Sequence, residues 1–337
     1  MRYVNGMILG GIVASLLGGT ALAQDVTIKY AHPTSANSSG GIMATDFKET
    51  LEDLSGGAIR VQVFPDGQLG SLSELNELAA SGTVQVTANT WGSLSVFDEQ
   101  AGALDAPYVF ENPRQRHELL THENSEILKG LNARLAESGS GLMVLAPIDS
   151  AGRQATCNRA IYSPGDLAGV KFRAIPFPVF IATVKGMGGI PVPIEYSELT
   201  TALATGLADC QENPLSNILN DKLYEAQSHI MLTNHILAGG PMLINAAFFE
   251  GLTAEQQAWV EEAAVSVAAR NLIEAETSES DLRSKLEDLG KIFITTEDGL
   301  DVEAFKQGVA VEMKAAFGDT YDAMFEQIEN EKKALLN

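Results

Sequence analysis

The chain has 337 residues, 45% apolar and 20% charged, with 22 Lys plus Arg against 44 Asp plus Glu and a formal charge of -22. That length suits two domains with their own cores, and the apolar fraction excludes a disordered chain. The charge repels nucleic acid and anionic lipid, and taken alone it points to a cation as the partner.

Met1–Ala23 reads as a secretory signal peptide: Arg2 gives the positive start, Met7–Leu17 the apolar stretch, and Ala21-Leu22-Ala23 the small-x-small cleavage pattern. No run of about 20 apolar residues follows, so the mature chain, starting near Gln24, is expected to be soluble and periplasmic. Val26–Tyr30 alternates as a half-buried strand, Ile42–Leu54 is a helix stopped by Gly56-Gly57, and Ile59, Val61 and Val63 alternate again. Ser71–Ala80 is a helix and Val84–Thr87 a strand. A second run predicts strands at Leu142–Leu145, Val170–Ala174 and Leu207–Cys210, and helices at Pro178–Lys185, Glu198–Thr205 and Pro214–Leu223. This βαβα rhythm predicts an α/β sheet, mainly parallel, with ligands at the carboxyl ends of its strands. Gly139–Gly141 and Gly239-Gly240 are natural points for the chain to pass between domains.

Thr253 with Gln256 forms a capping box, and a helical pattern runs from there to Leu289. At ~1.5 Å per residue such a helix is roughly 54 Å long. It is therefore either broken near Thr277–Ser280 or laid across both domains. No heptad pattern dominates it, which disfavours a coiled-coil oligomer. Cys157 and Cys210 form no metal or redox motif. In an oxidising compartment they are either a disulfide or two separate small buried residues.

Catalytic signals are absent. There is no HExxH, CxxC, calcium loop or G-x-S-x-G, and His117 and His122 are wrongly spaced for one helix face. Gly186–Gly189 follows a predicted helix rather than a strand, which is the wrong order for a phosphate loop. His32, His229 and His235 read as surface or satisfied core residues. One stretch runs against the overall charge: Arg153, Arg159, Lys171 and Arg173 stand against one acid, Asp166. Arg153 and Arg173 lie at predicted strand edges, and the forked guanidinium grips carboxylates through two parallel bonds. This suggests an anion site, with surface salt bridging as the alternative.

The chain resembles the substrate-binding proteins of tripartite ATP-independent periplasmic (TRAP) transporters over essentially the whole mature length. The resemblance is carried by Phe64-Pro65-Asp66-Gly67-Gln68-Leu69-Gly70, Pro107-Tyr108-Val109-Phe110, Gly152-Arg153, Pro164–Arg173, Gly189–Pro193 and Gly206–Pro214. It implies an α/β, two-lobed periplasmic binding protein fold with a long helix spanning both lobes, and no enzyme activity, cofactor or metal. Domain I would comprise 24–148 and 239–276, and domain II 149–238 and 277–337. The implied function is capture of a small organic acid in the cleft and its delivery to the integral membrane subunits, by a monomer. A hydroxylated or sugar acid is favoured. The alternatives are a C4-dicarboxylate or keto acid in the same site, or a binding protein of an ATP-driven transporter.

By the same resemblance, Arg173 forms the bidentate salt bridge to the carboxylate. Arg153 is a second arginine nearby, and the Asn213 amide donates to the same group. Tyr196 places a ring against the ligand, and Glu74 touches its hydroxyls or amines. Asn37 and Trp91 line the other half of the cleft, while Asn234 and His235 are hinge or pocket residues. Cys210 stands where the family usually has Gly and Thr200 where Tyr is common. A Cys157–Cys210 bond would tie together the segments carrying Arg153 and Asn213.

Overall fold

The computed structural model describes residues 26–121 and 125–335, so the expected leader at 1–23 and His122 lie outside the described residues. β1 (Val26–Ala31), α1 (Ser39–Leu54) and β2 (Ile59–Phe64) start the core, with β1 and β2 paired in parallel. The Ser38 hydroxyl caps α1 by accepting from Gly41 N, and the helix buries Met43, Ala44, Phe47 and Leu51 on one stripe. Phe47 meets Tyr30 of β1 edge-on at 5.7 Å between centroids. α2 (Leu72–Ala80) leads to β3 (Val86–Ala88), which lies parallel on the other side of β1. Short 3-10 turns at Trp91–Val96 and Glu99–Asp105, then α3 (Pro113–Thr121) and α4 (Glu126–Glu137), lead into β4 (Leu142–Cys157).

The chain continues through β5 (Lys171–Ala174), α5 (Pro178–Gly186), β6 (Ile190–Pro193), α6 (Leu199–Thr205), β7 (Cys210–Pro214), α7 (Leu215–Asn220), β8 (His229–Met231) and β9 (Leu237–Asn245). It ends with α8 (Ala246–Glu250), α9 (Ala254–Thr277), α10 (Glu279–Asp288), β10 (Ile292–Ile294) and α11 (Val302–Leu335).

β4 organises the molecule. It is 16 residues long, roughly 50 Å at ~3.3 Å per residue, and runs through two sheets. Leu142–Gly152 pairs with β9 in the first sheet, ordered β2-β1-β3-β9-β4. Arg153–Cys157 pairs with β7 in the second, which continues to β5 and β6, while β8 and β10 lie on its other side. The passage between sheets therefore falls at Gly152-Arg153, where the register with β9 is irregular, and not at Gly139–Gly141. The sequence pattern ends this strand at Leu145 because Pro147, Asp149, Ser150, Gly152 and Arg153 interrupt it. Every residue from Ala146 to Cys157 is nevertheless buried, and Asp149, Arg153, Gln154 and Thr156 find hydrogen-bond partners inside.

The sheet is mixed rather than mainly parallel. The βα units pair in parallel (β1 with β2 and β3, β5 with β6 and β7, β8 with β10), but every pairing of β4 and β9 is antiparallel. β9 carries the chain back from the second sheet to the first, so it must run against β4. Gly240 is required on it: a Cβ there would sit 1.8 Å from the Asn89 carbonyl oxygen.

The capping box at Thr253 and Gln256 is present. The helical run is interrupted at Ser278, giving α9 on β4 and α1 and α10 on α7, so it is both broken and laid across the two sheets. α11 has no counterpart in the sequence reading, although Phe305, Val309 and Met313, then Tyr321, Met324 and Ile328, form its buried stripe. Gly318 breaks its helical geometry. Gly186 is where α5 crosses α11, a Cβ there falling 2.5 Å from Val309 Cα. Cys157 and Cys210 are directly opposite on β4 and β7 and form a disulfide with an S–S distance of 2.02 Å.

Candidate functional site

A cavity of about 120 Å³ lies where β4 leaves the first sheet. The first sheet contributes His32 and Thr34 after β1, Ser39 on α1, Asn89 and Thr90 after β3, and Ser150 on β4. The second contributes Arg153, Ile175, Tyr196, Asn213 and Asn217. Most of these follow the carboxyl end of a parallel strand, where backbone groups are free of the ladder and side chains converge.

Arg153 and Glu212 face each other across β4 and β7, both almost fully buried. Arg153 donates through Nε and Nη2 to the Glu212 carboxylate, and through Nη2 to the Glu212 carbonyl at 2.8 Å and to Asn213 Oδ1 at 3.1 Å. Burial opposes both charges. It is outweighed on Arg153 by Glu212, which holds the guanidinium above its ordinary pKa. Arg153 and His235 in turn hold the Glu212 carboxyl down at about 2. His235 does not line the cavity. It is fully buried behind it, with Nε2 3.2 Å from Glu212 Oε2 and Nδ1 2.8 Å from Thr233 Oγ1.

Arg173, near the end of β5, is fully buried and differs sharply from Arg153. Only its Nε is used, donating to the Ile194 carbonyl at 2.9 Å. Nη1 and Nη2 have no hydrogen-bond partner among the described residues. The guanidinium lies over the Tyr196 ring at 5.9 Å. Burial, helped by Arg153, pulls its pKa down to about 10, and Glu212 only partly offsets this. It remains a cation at neutral pH, and leaving such buried donors unpaired costs about 1–3 kcal/mol or more.

Tyr196 is anchored at its hydroxyl, which donates to Asp221 Oδ2 and accepts from Asn217 Nδ2 at 2.8 Å. Asn213 uses Nδ2 toward Gln211 Oε1 at 2.5 Å and Oδ1 toward Arg153, which leaves one amide hydrogen. Thus Arg153, Arg173, Asn213 and Tyr196, placed together from sequence, do converge. Arg173 stands next to the cavity wall through Tyr196 rather than on it.

Three expected lining residues lie elsewhere. Glu74 is exposed at the first turn of α2, where its Oε2 accepts from Ser71 N at 2.8 Å and Ser71 Oγ at 2.9 Å as a capping box. Trp91 is fully buried in the large core with Leu94 and Leu104, where its ring area is worth most. The Asn37 side chain is exposed, and only its carbonyl acts, accepting from Asn220 Nδ2 at 2.8 Å. That bond, with Ser73 Oγ to Glu195 Oε1 at 2.5 Å and Ser39 Oγ to Ser216 Oγ at 3.4 Å, joins the two sides across the cleft. Asn234, with φ at +44°, exchanges bonds with Gln154 beside the Gly152 passage.

Sequence reasoning missed His32, Thr90 and Glu212 as site residues. His32 directly follows β1 and Thr90 is the second residue past β3, positions that were themselves the available signal. His32 is fully buried, and its Nε2 and Thr90 Oγ1 lack partners among the described residues.

A chain that threads two sheets on one strand and folds polar groups from both around a common cavity is built to surround a small solute, the architecture of two-lobed solute-binding proteins. The sequence profile of the bacterial extracellular solute-binding proteins of family 7 matches residues 30–320, and the chain belongs to that family. It is 32% identical over 311 residues to a solute-binding protein of Verminephrobacter eiseniae, covering 92% of this chain and 90% of the relative. It is 31% identical over 289 residues to the C4-dicarboxylate-binding periplasmic protein DctP of Rhodobacter capsulatus, covering 84% of each. The fold matches a TRAP periplasmic solute-binding protein of Roseobacter denitrificans with bound L-galactonate, at TM-score 0.83 and 26% identity over 91% of this chain and 99% of that one. Among the described residues no helix is long and apolar enough to cross a membrane.

Proposed function

We propose that this chain is a periplasmic receptor that captures one small organic acid between two lobes and hands it to the membrane subunits of a TRAP transporter, binding the acid without turning it over. The observation that carries this reading is Arg173, a fully buried guanidinium whose Nη1 and Nη2 are unpartnered among the described residues. Such a fork matches a carboxylate in geometry and charge. Arg153 does not compete for that role, because Glu212 neutralises it. It orients Asn213, whose remaining amide hydrogen donates to the same carboxylate, and Tyr196 provides a flat wall.

The lobes divide about the Gly152-Arg153 passage, a few residues beyond the 148/149 boundary expected from sequence, and β4 and β9 connect them. Contacts such as Ser73 to Glu195 and Asn220 to the Asn37 carbonyl exist only when the sides meet. A solute bridging both sides therefore shifts the population toward closure. The relatives named above include a C4-dicarboxylate-binding protein and one solved with bound L-galactonate, a sugar acid. For this chain a hydroxylated or sugar acid is the first reading, with a C4-dicarboxylate or keto acid as the alternative.

Thermal-shift screening of the mature protein against an organic-acid library tests it, because a ligand of the native state raises stability by mass action. An acid that stabilises wild type should lose at least 100-fold in affinity with Arg173→Ala. Retention of affinity within about tenfold, ~1.4 kcal/mol, overturns the reading.

A further inference from the structure

The carboxylate reading leaves the other wall of the cavity unexplained, and that wall discriminates between the two acid classes. We propose that His32 and Thr90 are specificity residues that read hydroxyl groups of the solute, making it a hydroxylated monocarboxylate rather than a dicarboxylate. This rests on Arg173 holding the carboxylate.

The charge count comes first. Among the described residues lining the cavity, Arg153 is the only Arg or Lys, and both arms of its ion pair go to Glu212. Arg173 beside it is the one guanidinium left uncompensated. The site thus neutralises a single carboxylate. The first-sheet wall offers His32, Thr34, Ser39, Asn89, Thr90 and Ser150, with no permanent cation. A second carboxylate buried there would have neutral donors at best, and burying an unpaired charge is far more costly than burying a hydroxyl.

The hydrogen-bond inventory then identifies the readers. Asn89 is used up: Nδ2 donates to the Leu72 carbonyl at 2.9 Å and Asn76 Oδ1 at 3.0 Å, and Oδ1 accepts from Thr90 N at 2.9 Å. Thr34 Oγ1 accepts from Ser38 Oγ at 2.7 Å and lies 3.2 Å from His32 Nδ1. Ser39 Oγ donates to Ser216 Oγ across the cleft at 3.4 Å. The wall's fully buried side-chain atoms left unpartnered among the described residues are His32 Nε2 and Thr90 Oγ1. Whichever tautomer the Thr34 contact selects, Nε2 is either a donor or an acceptor. A ligand hydroxyl serves as either partner, while a carboxylate only accepts. Burial also holds the His32 imidazole down at about 4, so it does not supply the missing cation at neutral pH.

The test is calorimetric titration of wild type, Thr90→Val and His32→Leu with D-erythronate, L-galactonate, succinate and butyrate. Thr90→Val is nearly isosteric and removes no hydrogen bond within the protein, so it folds even if His32→Leu does not. One or both hydroxylated monocarboxylates should bind wild type at least 100-fold more tightly than succinate. Thr90→Val should weaken that acid tenfold or more while leaving butyrate within threefold. Succinate binding as tightly as the hydroxylated acids, or Thr90→Val weakening all acids alike, overturns the proposal while the carboxylate reading stands. If none of the four acids binds, or Arg173→Ala leaves their binding intact, the carboxylate reading itself fails and takes this proposal with it.

Discussion

Glu212 neutralises Arg153 through a two-pronged ion pair, and by doing so leaves Arg173, its neighbour on β5, as the uncompensated cation of the site. The two arginines are close enough that Arg153 lowers the pKa of Arg173. One acid between two buried cations thus sets a net charge suited to one anion.

The first prediction concerns that acid. Glu212→Gln leaves Arg153 buried without its counter-charge, which costs about 3–5 kcal/mol. The pKa gives the same scale. A carboxyl ordinarily at 4.5 and held at about 2 in the fold contributes about 3 kcal/mol. Because the folded value is depressed, that stabilisation is complete above pH 4.5 and disappears as pH falls through about 2. Urea unfolding should show a wide gap between wild type and Glu212→Gln at pH 7 that narrows below pH 4.5. A gap independent of pH would place the cost of the substitution elsewhere.

The disulfide gives a second prediction. Cys157 and Cys210 are 53 residues apart in sequence, and closing a loop of that length in the unfolded chain is worth about 4 kcal/mol. The pair also pins the β4–β7 register, in which Cys157 faces Cys210, Ala155 faces Glu212 and Gln154 faces Asn213, and which brings Arg153 within reach of Glu212 and Asn213. The double variant Cys157→Ala/Cys210→Ala should lose about 2–4 kcal/mol in urea unfolding and weaken acid binding. A variant as stable as wild type would mean that the β4–β7 ladder fixes the register unaided.

A third prediction follows from Arg116 on α3, which is fully buried behind the cavity wall formed by Ile148, Ala238 and Gly239. Its Nε and Nη2 donate to Asp149 Oδ1, Nη1 to the Leu237 carbonyl at 2.7 Å, and Nη2 to the Ala238 carbonyl at 2.5 Å. It therefore ties both connecting strands together just before the passage at Gly152. Arg116→Met should cost about 3–5 kcal/mol because the buried Asp149 loses the guanidinium on Oδ1 and keeps only His117 on Oδ2. Adding Asp149→Asn should recover part of that loss, as a double-mutant cycle in urea would show. Additive losses would rule out a direct pairing of the two.

The βα units were legible because their signals are local. Apolar residues alternate in β1 and β2, and Ser71 and Thr253 mark helix starts. β4 was cut short at Leu145 because its polar residues are buried among partners that are distant in sequence, such as Arg116 and Glu212. The same cause hid the site's electrostatics. Arg153 and Arg173 look alike in sequence and differ only through Glu212. Glu74 was misplaced because a capping acid and a ligand-binding acid look identical in a string of residues. Of the local positive stretch, Arg153 is salt-bridged to Glu212, while Arg173 keeps Nη1 and Nη2 without a partner among the described residues.

The last prediction isolates His32. Burial lowers its folded pKa to about 4 from an ordinary 6.5. The unfolded chain therefore takes up a proton between those values while the folded chain does not. With the folded value depressed, the imidazole costs nothing above pH 6.5, and stability falls as pH drops from 6.5 toward 4, by about 3 kcal/mol in all. His32→Gln keeps a polar side chain and removes the titration. Unfolding free energies of the two proteins should run parallel above pH 7, and wild type should lose ground to the variant from pH 6.5 to pH 4. Parallel curves across the whole range would mean that the imidazole protonates in the folded state, and that the cavity wall opposite the arginines can carry charge after all.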